Sequence, residues 1–292
     1  MTRDFEGYGR NPPEARWPGG ARLALNFVIN HEEGGERSVP DGDPATEAAL
    51  TEGSTIPPQG RDLGAESMFQ YGSRVGFWRL WRLFQAAGLP CTVFAVARSL
   101  QRTPQAAAAI REAGWDVAGH GLRWVGHADM DEATERQALT EATRIIEDTT
   151  GQRPLGWYCR YAPSLNTRRL LGELGYLYDS DAYDDELPYW DRSIGKPRLV
   201  VPYTLVNNDL RFQRAALTTG EEFERYIMGA IEMALHEPGS RMLSVGLHNR
   251  IIGHPARAIG LKRILDRVKA MPDIWVCRRV DIARHWEKEH PP

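Results

Sequence analysis

The chain has 292 residues, of which 42% are hydrophobic, and its 36 basic and 39 acidic residues give a formal net charge of -3. This length accommodates one large α/β domain or two small ones. No basic stripe runs along the sequence, which argues against nucleic acid and anionic membranes as partners. The polar start has no signal pattern, and no apolar run is long enough to cross a bilayer, so we expect a cytoplasmic protein.

The N-terminal part of the chain contains two irregular segments around one apolar run. Residues 1–20 are rich in glycine and proline and predict an extended arm, laid over the surface or over a neighbouring subunit. The short apolar run over residues 23–30 is bounded by glycines and predicts a buried strand. It is followed by three carboxylates, Glu32, Glu33 and Glu36. Residues 38–71 predict a long loop near the mouth of a site, because prolines and glycines recur there.

Helical and strand patterns alternate from residue 77 to the end of the chain. Strands are predicted over residues 91–97, 115–118, 154–159, 176–178, 199–205, 242–247 and 274–277. Helices are predicted over residues 77–88, 103–114, 131–149, 166–175, 220–236, 255–270 and 280–287. This unbroken series predicts a parallel sheet covered by helices, and its length favours a barrel of about seven parallel strands in one domain over residues 1–292. No glycine-rich dinucleotide fingerprint follows any strand.

Polar and aromatic residues follow six of the predicted strands. After the carboxylates already named come His120, Arg123 and Trp124; Tyr158 and Arg160; Asp179, Asp181 and Tyr183; Asn207, Asn208 and Asp209; and His248, Asn249 and Arg250. Functional residues of βα barrels gather at the carboxyl ends of the strands. A single histidine at such a position is more often structural than catalytic, but the convergence of six strand ends predicts an active site.

The order of these motifs resembles the polysaccharide deacetylase superfamily, which has a distorted (β/α) barrel. The shared order is an acidic pair, His-Gly, Arg-x-x-Pro, Asp-Ser-Asp and Leu-His. Longer stretches resemble its metal-independent allantoinase branch, namely residues 30–36, 71–76, 120–124, 166–170, 178–190 and 282–286. The resemblance covers nearly the whole chain and implies a hydrolase of amide-type carbon–nitrogen bonds without a resident cofactor.

Two departures from the deacetylase pattern concern the metal. That family has Asp-Asp where this chain has Glu32 and Glu33, and His-x-x-x-His where this chain has His120 and Trp124. In the family the second acid and both histidines hold a divalent ion, and the first acid is the base. Tryptophan cannot ligate, and His127 is the one nearby substitute. The resemblance therefore implies at most a weak divalent site, such as a zinc site, on Glu33 and His120.

The resemblance also assigns roles in amide hydrolysis. Glu32 is the expected general base, and the like charge of Glu33 is expected to raise the pKa of one carboxylate of the pair. Arg160 and His120 are candidate donors to the oxyanion, and His248 is the candidate acid to the leaving nitrogen. The predicted catalytic residues are thus Glu32, Glu33, His120, Arg160 and His248. The predicted substrate-binding residues are Glu36, Trp124, Tyr158, Asp181 and Tyr183.

Three functions are compatible with this pattern. The first is ring opening of a small cyclic ureide or imide, such as allantoin, and the crowded aromatic rim favours it. The second is metal-dependent N-deacetylation of amino-sugar oligomers or polymers. The third is a degenerate barrel that binds a ligand without chemistry, against which the retained acids and histidines argue. We expect a small-molecule substrate and, from the arm and the many aromatic residues, a homo-oligomer.

Overall fold

Helices and strands alternate along the protein in the computed structural model, which describes residues 3–53, 59–214 and 216–292. The strands are β1 (Leu23–His31), β2 (Thr92–Ala95), β3 (Asp116–Gly119), β4 (Gly156–Trp157), β5 (Tyr178–Asp179), β6 (Tyr189–Asp191), β7 (Arg198–Val200), β8 (Arg241–His248) and β9 (Ile274–Val276). The helices are α1 (Leu63–Tyr71), α2 (Phe77–Ala87), α3 (Ala97–Arg102), α4 (Pro104–Glu112), α5 (Glu132–Thr150), α6 (Thr167–Glu173), α7 (Gly220–His236), α8 (Pro255–Val268) and α9 (Arg279–Glu289).

The strands form one curled sheet in the order β6-β7-β5-β4-β3-β2-β1-β8, with β9 also paired to β1. All of these pairs are parallel except β6 with β7. β1 is central: one edge pairs with β8 from Leu23 to Asn30, and the other pairs first with β9 and then with β2. The predicted distorted (β/α) barrel is therefore confirmed. β6 was not predicted, because three residues in an antiparallel edge strand leave no clear pattern.

The alternation of side chains along β1 separates two layers of the core. Leu23, Leu25, Phe27 and Ile29 face outward and pack among the helices. Val28 faces inward and packs with Phe94, Ala118, Tyr158 and Tyr203 inside the barrel. Every residue of β1 is buried, as expected for a parallel strand covered on both faces. The strand therefore delivers alternate residues to the barrel interior and to the surrounding helices.

The floor of the barrel is polar and is organised by a buried arginine. Arg279, at the start of α9, is fully buried. Burial lowers the pKa of its guanidinium. Its donors reach the side chains of Asn26, Ser180 and Ser244 and the carbonyl oxygens of Val201 and Pro202. One side chain thus joins β1, β8 and the segments after β5 and β7.

Replacing Arg279 by methionine is expected to lower the free energy of unfolding by about 3–5 kcal/mol, because it leaves several buried acceptors unpaired. Urea unfolding followed by circular dichroism measures the change. The matched control is Arg278→Met at the neighbouring position, where the arginine is partly exposed and pairs with Asp281. We expect that control to cost about 1 kcal/mol or less. Equal losses in the two variants would contradict the proposed role of Arg279.

The N-terminal arm packs against the C-terminal helix of the same chain. Trp17 is buried, donates from Nε1 to the carbonyl oxygen of Arg241 at 2.9 Å, and packs against Trp275 and Trp286 with the rings tilted. The Tyr8 hydroxyl donates to the Pro188 carbonyl oxygen at 2.7 Å. The arm thus packs on the surface of its own chain.

The predicted loop over residues 38–71 is shorter than expected, because residues 63–71 form α1. The Asp62 side chain accepts from the Ala65 N–H and caps this helix, while Ala65 and Phe69 bury one face. The preceding prolines and glycines masked this helical signal. Residues 54–58 of the predicted loop lie outside the described residues. Of the helices in the described ranges, none is long and apolar enough to span a bilayer.

Candidate active site

A small polar pocket lies at the carboxyl ends of the strands. It contains about 240 Å³ of empty space, including the part that is open to solvent. Its wall consists of Asn30, Glu32, His120, Trp124, Tyr158, Arg160, Tyr161, Tyr203, Leu205, Asn208, Leu210 and His248. Six of the predicted site residues are therefore together, and they come from the carboxyl ends of four strands, β1, β3, β4 and β8. The combination of aromatic walls with a few fixed polar groups is typical of a small-molecule site.

The Glu32 carboxylate is surrounded by positive or protonatable groups. Its Oε2 lies 2.8 Å from the Arg250 guanidinium, and its Oε1 lies 3.2 Å from His120 Nε2 and 3.6 Å from His248 Nε2. Burial by itself raises the pKa of Glu32, but the charges of Arg250 and His248 outweigh burial, so the pKa is lowered. The prediction that a like charge would raise it is wrong for Glu32, because Arg250 bridges the two carboxylates. Glu32 is thus an ionised carboxylate.

His248 is held by an aspartate from a distant part of the chain. Its Nδ1 donates to Asp209 Oδ1 at 2.6 Å, and its backbone N–H donates to Asp209 Oδ2 at 2.6 Å. Burial lowers the pKa of His248, but the carboxylates of Asp209 and Glu32 more than compensate, so the pKa is raised. The imidazolium form donates from Nδ1 to Asp209 and turns Nε2–H toward the pocket. A carboxylate thus fixes the orientation of the ring.

His120 is fixed by a backbone carbonyl. Its Nδ1 lies 2.8 Å from the Tyr158 carbonyl oxygen, which only accepts, so Nδ1 carries a hydrogen. The ring stacks on Tyr158 with 5.1 Å between centroids, and Tyr158 stacks on Phe94 at 5.0 Å. This packing directs Nε2 to Glu32 and leaves little freedom for the ring.

Glu33 lies just beyond the end of β1 and is not part of the pocket wall. Its carboxylate accepts from Asn249 Nδ2 at 2.9 Å and lies 3.3 Å from Arg250 Nη1. It packs against Gly72, in a π-helical turn (Gly72–Gly76) between α1 and α2. Such turns often mark functional sites. Because Arg250 contacts both carboxylates, Glu33 fixes the cation that neutralises Glu32.

Replacing Gly72 by alanine is expected to disturb this contact, because the added methyl would collide with Glu33 Oε1. We expect a loss of about 1–3 kcal/mol in unfolding free energy and a fall in kcat of about 10-fold or more through displacement of Arg250. The matched control is Gly229→Ala in α7, where the methyl meets open space. It is expected to raise stability by about 0.5–1 kcal/mol. Melting curves and steady-state rates measure both, and an unchanged kcat in Gly72→Ala would contradict the role of Glu33.

Arg160 and Trp124 form one wall of the pocket. The guanidinium carbon of Arg160 lies 3.7 Å from the centre of a Trp124 ring, and its Nη1 donates to Glu47 at 2.6 Å and to the Trp124 carbonyl at 2.9 Å. Glu47 belongs to the loop after β1, so this loop packs against the wall of the pocket. Tyr161 follows with a positive φ of 60°.

The structure does not bring three of the predicted substrate-binding residues to the pocket wall. The Glu36 carboxylate accepts from the Gly34 N–H, and burial raises its pKa to about 7. Asp181 accepts from the Cys159 N–H at 2.7 Å, and burial raises its pKa to about 8. The half-exposed Tyr183 reaches the Tyr158 hydroxyl at 2.8 Å. These residues support the loops around the pocket. Spacing in the sequence does not distinguish a residue that supports these loops from one that lines the pocket.

The donor set does not fit a divalent metal. The structure does not bring the predicted weak ligands Glu33 and His120 together, since the carboxylate of Glu33 lies against Arg250 and Asn249, while His120 Nε2 faces Glu32. His127, the possible substitute for the family's second histidine, bonds to Glu135 at 3.0 Å. Among the described residues, no group of three or more histidine, cysteine or acidic side chains is placed as a metal site. Arg250 and His248 supply the positive charge beside Glu32 instead.

Several residues at or beside the pocket were not predicted as site residues, and four of them make polar contacts that matter for the site, namely Asp209, Arg250, Asn30 and Tyr203. Asp209 and Arg250 were visible only as polar strand-end residues, and their contacts with His248 and Glu32 are between positions far apart in sequence. Asn30 was visible only as part of the first strand. Its position two residues before Glu32 was the available signal, because alternate residues of a strand share one face. Tyr203 gave no signal in the sequence.

Comparisons with known proteins agree with this architecture. The family model described as "Polysaccharide deacetylase" matches residues 65–178. The Schizosaccharomyces pombe protein named "Putative polysaccharide deacetylase" is 34% identical, over 99% of this chain and 98% of that protein. A crystal structure of a "probable Polysaccharide deacetylase" from Pseudomonas aeruginosa PAO1 is 48% identical, covers 100% of both chains and has a TM-score of 0.96. That of PuuE allantoinase is 48% identical, covers 100% of this chain and 99% of its own, and has a TM-score of 0.95.

The curled parallel sheet and the acid–histidine pocket at its carboxyl edge define a barrel hydrolase of carbon–nitrogen bonds. The chain belongs to the polysaccharide deacetylase family. The resemblance predicted from the sequence motifs is thus confirmed, and the likeness to PuuE allantoinase supports the predicted branch.

Proposed function

We propose that the protein opens the ring of a small cyclic ureide or imide, such as allantoin, by hydrolysing an amide carbon–nitrogen bond. The observation that carries this proposal is one ionised carboxylate, Glu32, placed against two imidazoles at the wall of a small pocket. The aromatic side chains in its wall, among them Trp124 and Tyr158, suit a planar heterocycle. The match with the crystal structure of PuuE allantoinase supports the same reaction.

Hydrolysis requires two proton transfers. Water loses a proton as it attacks the carbonyl carbon, and the ring nitrogen gains a proton as it leaves. Glu32 is the proposed base, because it is the carboxylate at the pocket wall, and geometry rather than a raised pKa selects it. His248 is the proposed acid and gives its Nε2 proton to the leaving nitrogen. A carbon–oxygen bond replaces the carbon–nitrogen bond, so the product is an open-chain carboxylate that retains the nitrogen.

The charge that develops on the carbonyl oxygen needs donors. Arg160 is the proposed principal donor, since it lines the pocket and its guanidinium lies over the Trp124 ring. His120 donates from Nε2 when both of its ring nitrogens carry a proton. Glu33 is proposed as a positioning residue that acts through Arg250. Trp124 and Tyr158 are proposed as the walls that hold a planar substrate.

The proposal also includes a cytoplasmic location and a homo-oligomer that turns over a small molecule. The mixed charge and the absence of a basic stripe support a small-molecule substrate rather than nucleic acid. Light scattering on the purified protein measures the oligomeric state, and a monomer at all concentrations would contradict that part of the proposal.

The test is a panel of allantoin, hydantoin, succinimide and N-acetylglucosamine oligomers, each assayed with EDTA and with added zinc. We expect turnover of at least one ring compound, with the same rate in EDTA. The family also supports the alternative of an amino-sugar deacetylase. Turnover of the acetylated sugars only with zinc would favour that alternative and overturn the ring-opening proposal.

A further inference from the structure

Asn30 presents one fixed acceptor to the pocket. Its Nδ2 donates to the Leu247 carbonyl oxygen and to the Tyr203 hydroxyl, each at 3.2 Å. A carbonyl oxygen only accepts, so the amide nitrogen must face Leu247 and the orientation of the side chain is fixed. Both amide hydrogens are then in use, while Asn30 Oδ1 has no partner among the described residues. Asn30 is buried and lines the pocket, so this oxygen is available to a bound molecule.

Tyr203 presents a fixed donor beside it. Its hydroxyl oxygen accepts from Asn30 Nδ2, and within the described ranges that is its one hydrogen bond, so its own hydrogen is free. The Tyr203 ring packs against Phe94 and Tyr158, with centroid distances of 5.0 and 4.8 Å. Burial raises the pKa of Tyr203, so the hydroxyl keeps its proton throughout the working range. The pocket wall thus offers an acceptor and a donor side by side.

Such a pair distinguishes ring amides from open-chain amides. In a ring of five or six atoms the amide is cis, so its N–H and C=O point from the same edge and meet a neighbouring acceptor and donor together. An open-chain secondary amide, such as an N-acetyl group, strongly prefers the trans form, in which N–H and C=O point in opposite directions. The Asn30–Tyr203 pair therefore matches the edge of a cyclic imide or ureide.

We propose that Asn30 and Tyr203 are specificity residues that form hydrogen bonds with the cis amide edge of the substrate. Asn30 Oδ1 accepts from the ring N–H, and the Tyr203 hydroxyl donates to the adjacent carbonyl that is not cleaved. The substrates are accordingly cyclic amides whose ring nitrogen carries a hydrogen, and N-alkylated rings are rejected. This inference rests on the proposed ring-opening function and narrows it.

The experiment compares kcat/KM for succinimide and N-methylsuccinimide in the unmodified protein and three variants. We expect the unmodified protein to prefer succinimide by about 100-fold or more, because a methyl group leaves the buried acceptor unpaired. Asn30→Ala removes the acceptor, so this preference is expected to fall to below about 10-fold. Tyr203→Phe removes the donor to the carbonyl and is expected to lower both rates by about 10- to 100-fold with the preference intact. Tyr176→Phe, whose hydroxyl bonds to Thr143 away from the pocket, is the control and is expected to change neither value.

The outcomes separate this inference from the proposed function. Equal turnover of both rings by the unmodified protein, or an unchanged preference in Asn30→Ala, overturns the inference and leaves ring opening intact. If Asn30→Ala does not fold, Tyr203→Phe decides, and an unchanged rate in that variant overturns the inference. Turnover of acetylated sugars with neither ring hydrolysed overturns the proposed function and the inference together.

Discussion

Replacing Glu32 by glutamine is expected to lower kcat for the ring substrate by about 10³-fold or more, because general-base catalysis contributes 10²–10⁴-fold and the charge that orients His248 is also lost. Glutamine keeps the volume of the side chain and an oxygen that can accept from Arg250. The substitution thus removes the charge and the basicity while it preserves the packing. Steady-state kinetics measures the rate, and circular dichroism and thermal melting report on the fold.

The matched control for Glu32→Gln is Asp116→Asn, another buried carboxyl group in the same sheet. Asp116 lies at the start of β3, away from the pocket, and accepts from the Thr92 hydroxyl at 3.0 Å and the Val280 N–H at 3.3 Å. An amide oxygen accepts these bonds equally well, so we expect kcat to stay within about threefold of the unmodified value. Glu32→Gln that keeps most of its activity would show that another residue takes the proton from water.

Replacing Asp209 by asparagine is expected to lower kcat by about 10²–10³-fold through its effect on His248. The backbone N–H groups of His248 and Ile252 both donate to Asp209 Oδ2, so in the variant the amide oxygen takes this position. The NH2 group of the new asparagine then faces His248 Nδ1. Nδ1 must then accept, and the ring can no longer carry a proton on both nitrogens. A reduced kcat with an unchanged KM is the expected signature of a residue that acts through the acid rather than by binding substrate.

The pH profile distinguishes this effect from a structural one. The pKa of His248 is raised, chiefly by Asp209 against the effect of burial, so the acid is protonated at low pH and the rate falls as the pH rises through that value. In Asp209→Asn the pKa is lowered, and the falling limb of kcat against pH is expected to move to lower pH. In the unmodified protein, the raised pKa of His248 stabilises the folded state at pH values below the ordinary histidine pKa. This contribution to stability is lost as the pH rises through the raised pKa. A falling limb at the same pH in both proteins would contradict the role of His248 as the acid.

The sequence predicts the barrel better than it predicts the detail of the pocket. Alternating β and α patterns identify most of the strands and helices, because each pattern is local. The local sequence does not reveal which of Glu32 and Glu33 points into the pocket. The preceding strand β1 is buried on both faces, so the alternation of polar and apolar residues gives no direction. The register with β8 decides it, by placing Asn30 beside His248 and Arg250 just beyond.

Long-range partners explain the remaining differences. The contact of Asp209 with His248 spans 39 positions, and that of Arg250 with Glu32 spans more than 200, so no spacing rule reveals either. Asp181 is an acidic residue near the end of β5, as expected for a site residue, but it accepts from the backbone N–H of Cys159 instead of lining the pocket. Position at a strand end is therefore sufficient to predict which edge of the barrel carries the chemistry, and insufficient to predict which side chains reach the pocket.

The most direct test of ring opening is the hydrolysis of allantoin in ¹⁸O-labelled water, with the product mass read by mass spectrometry. We expect a single product that has gained one labelled water, carries the label in a new carboxylate and has lost no fragment. We also expect the same rate after treatment with EDTA. Recovery of unchanged allantoin, together with labelled acetate from N-acetylglucosamine oligomers, would contradict the account and identify a deacetylase.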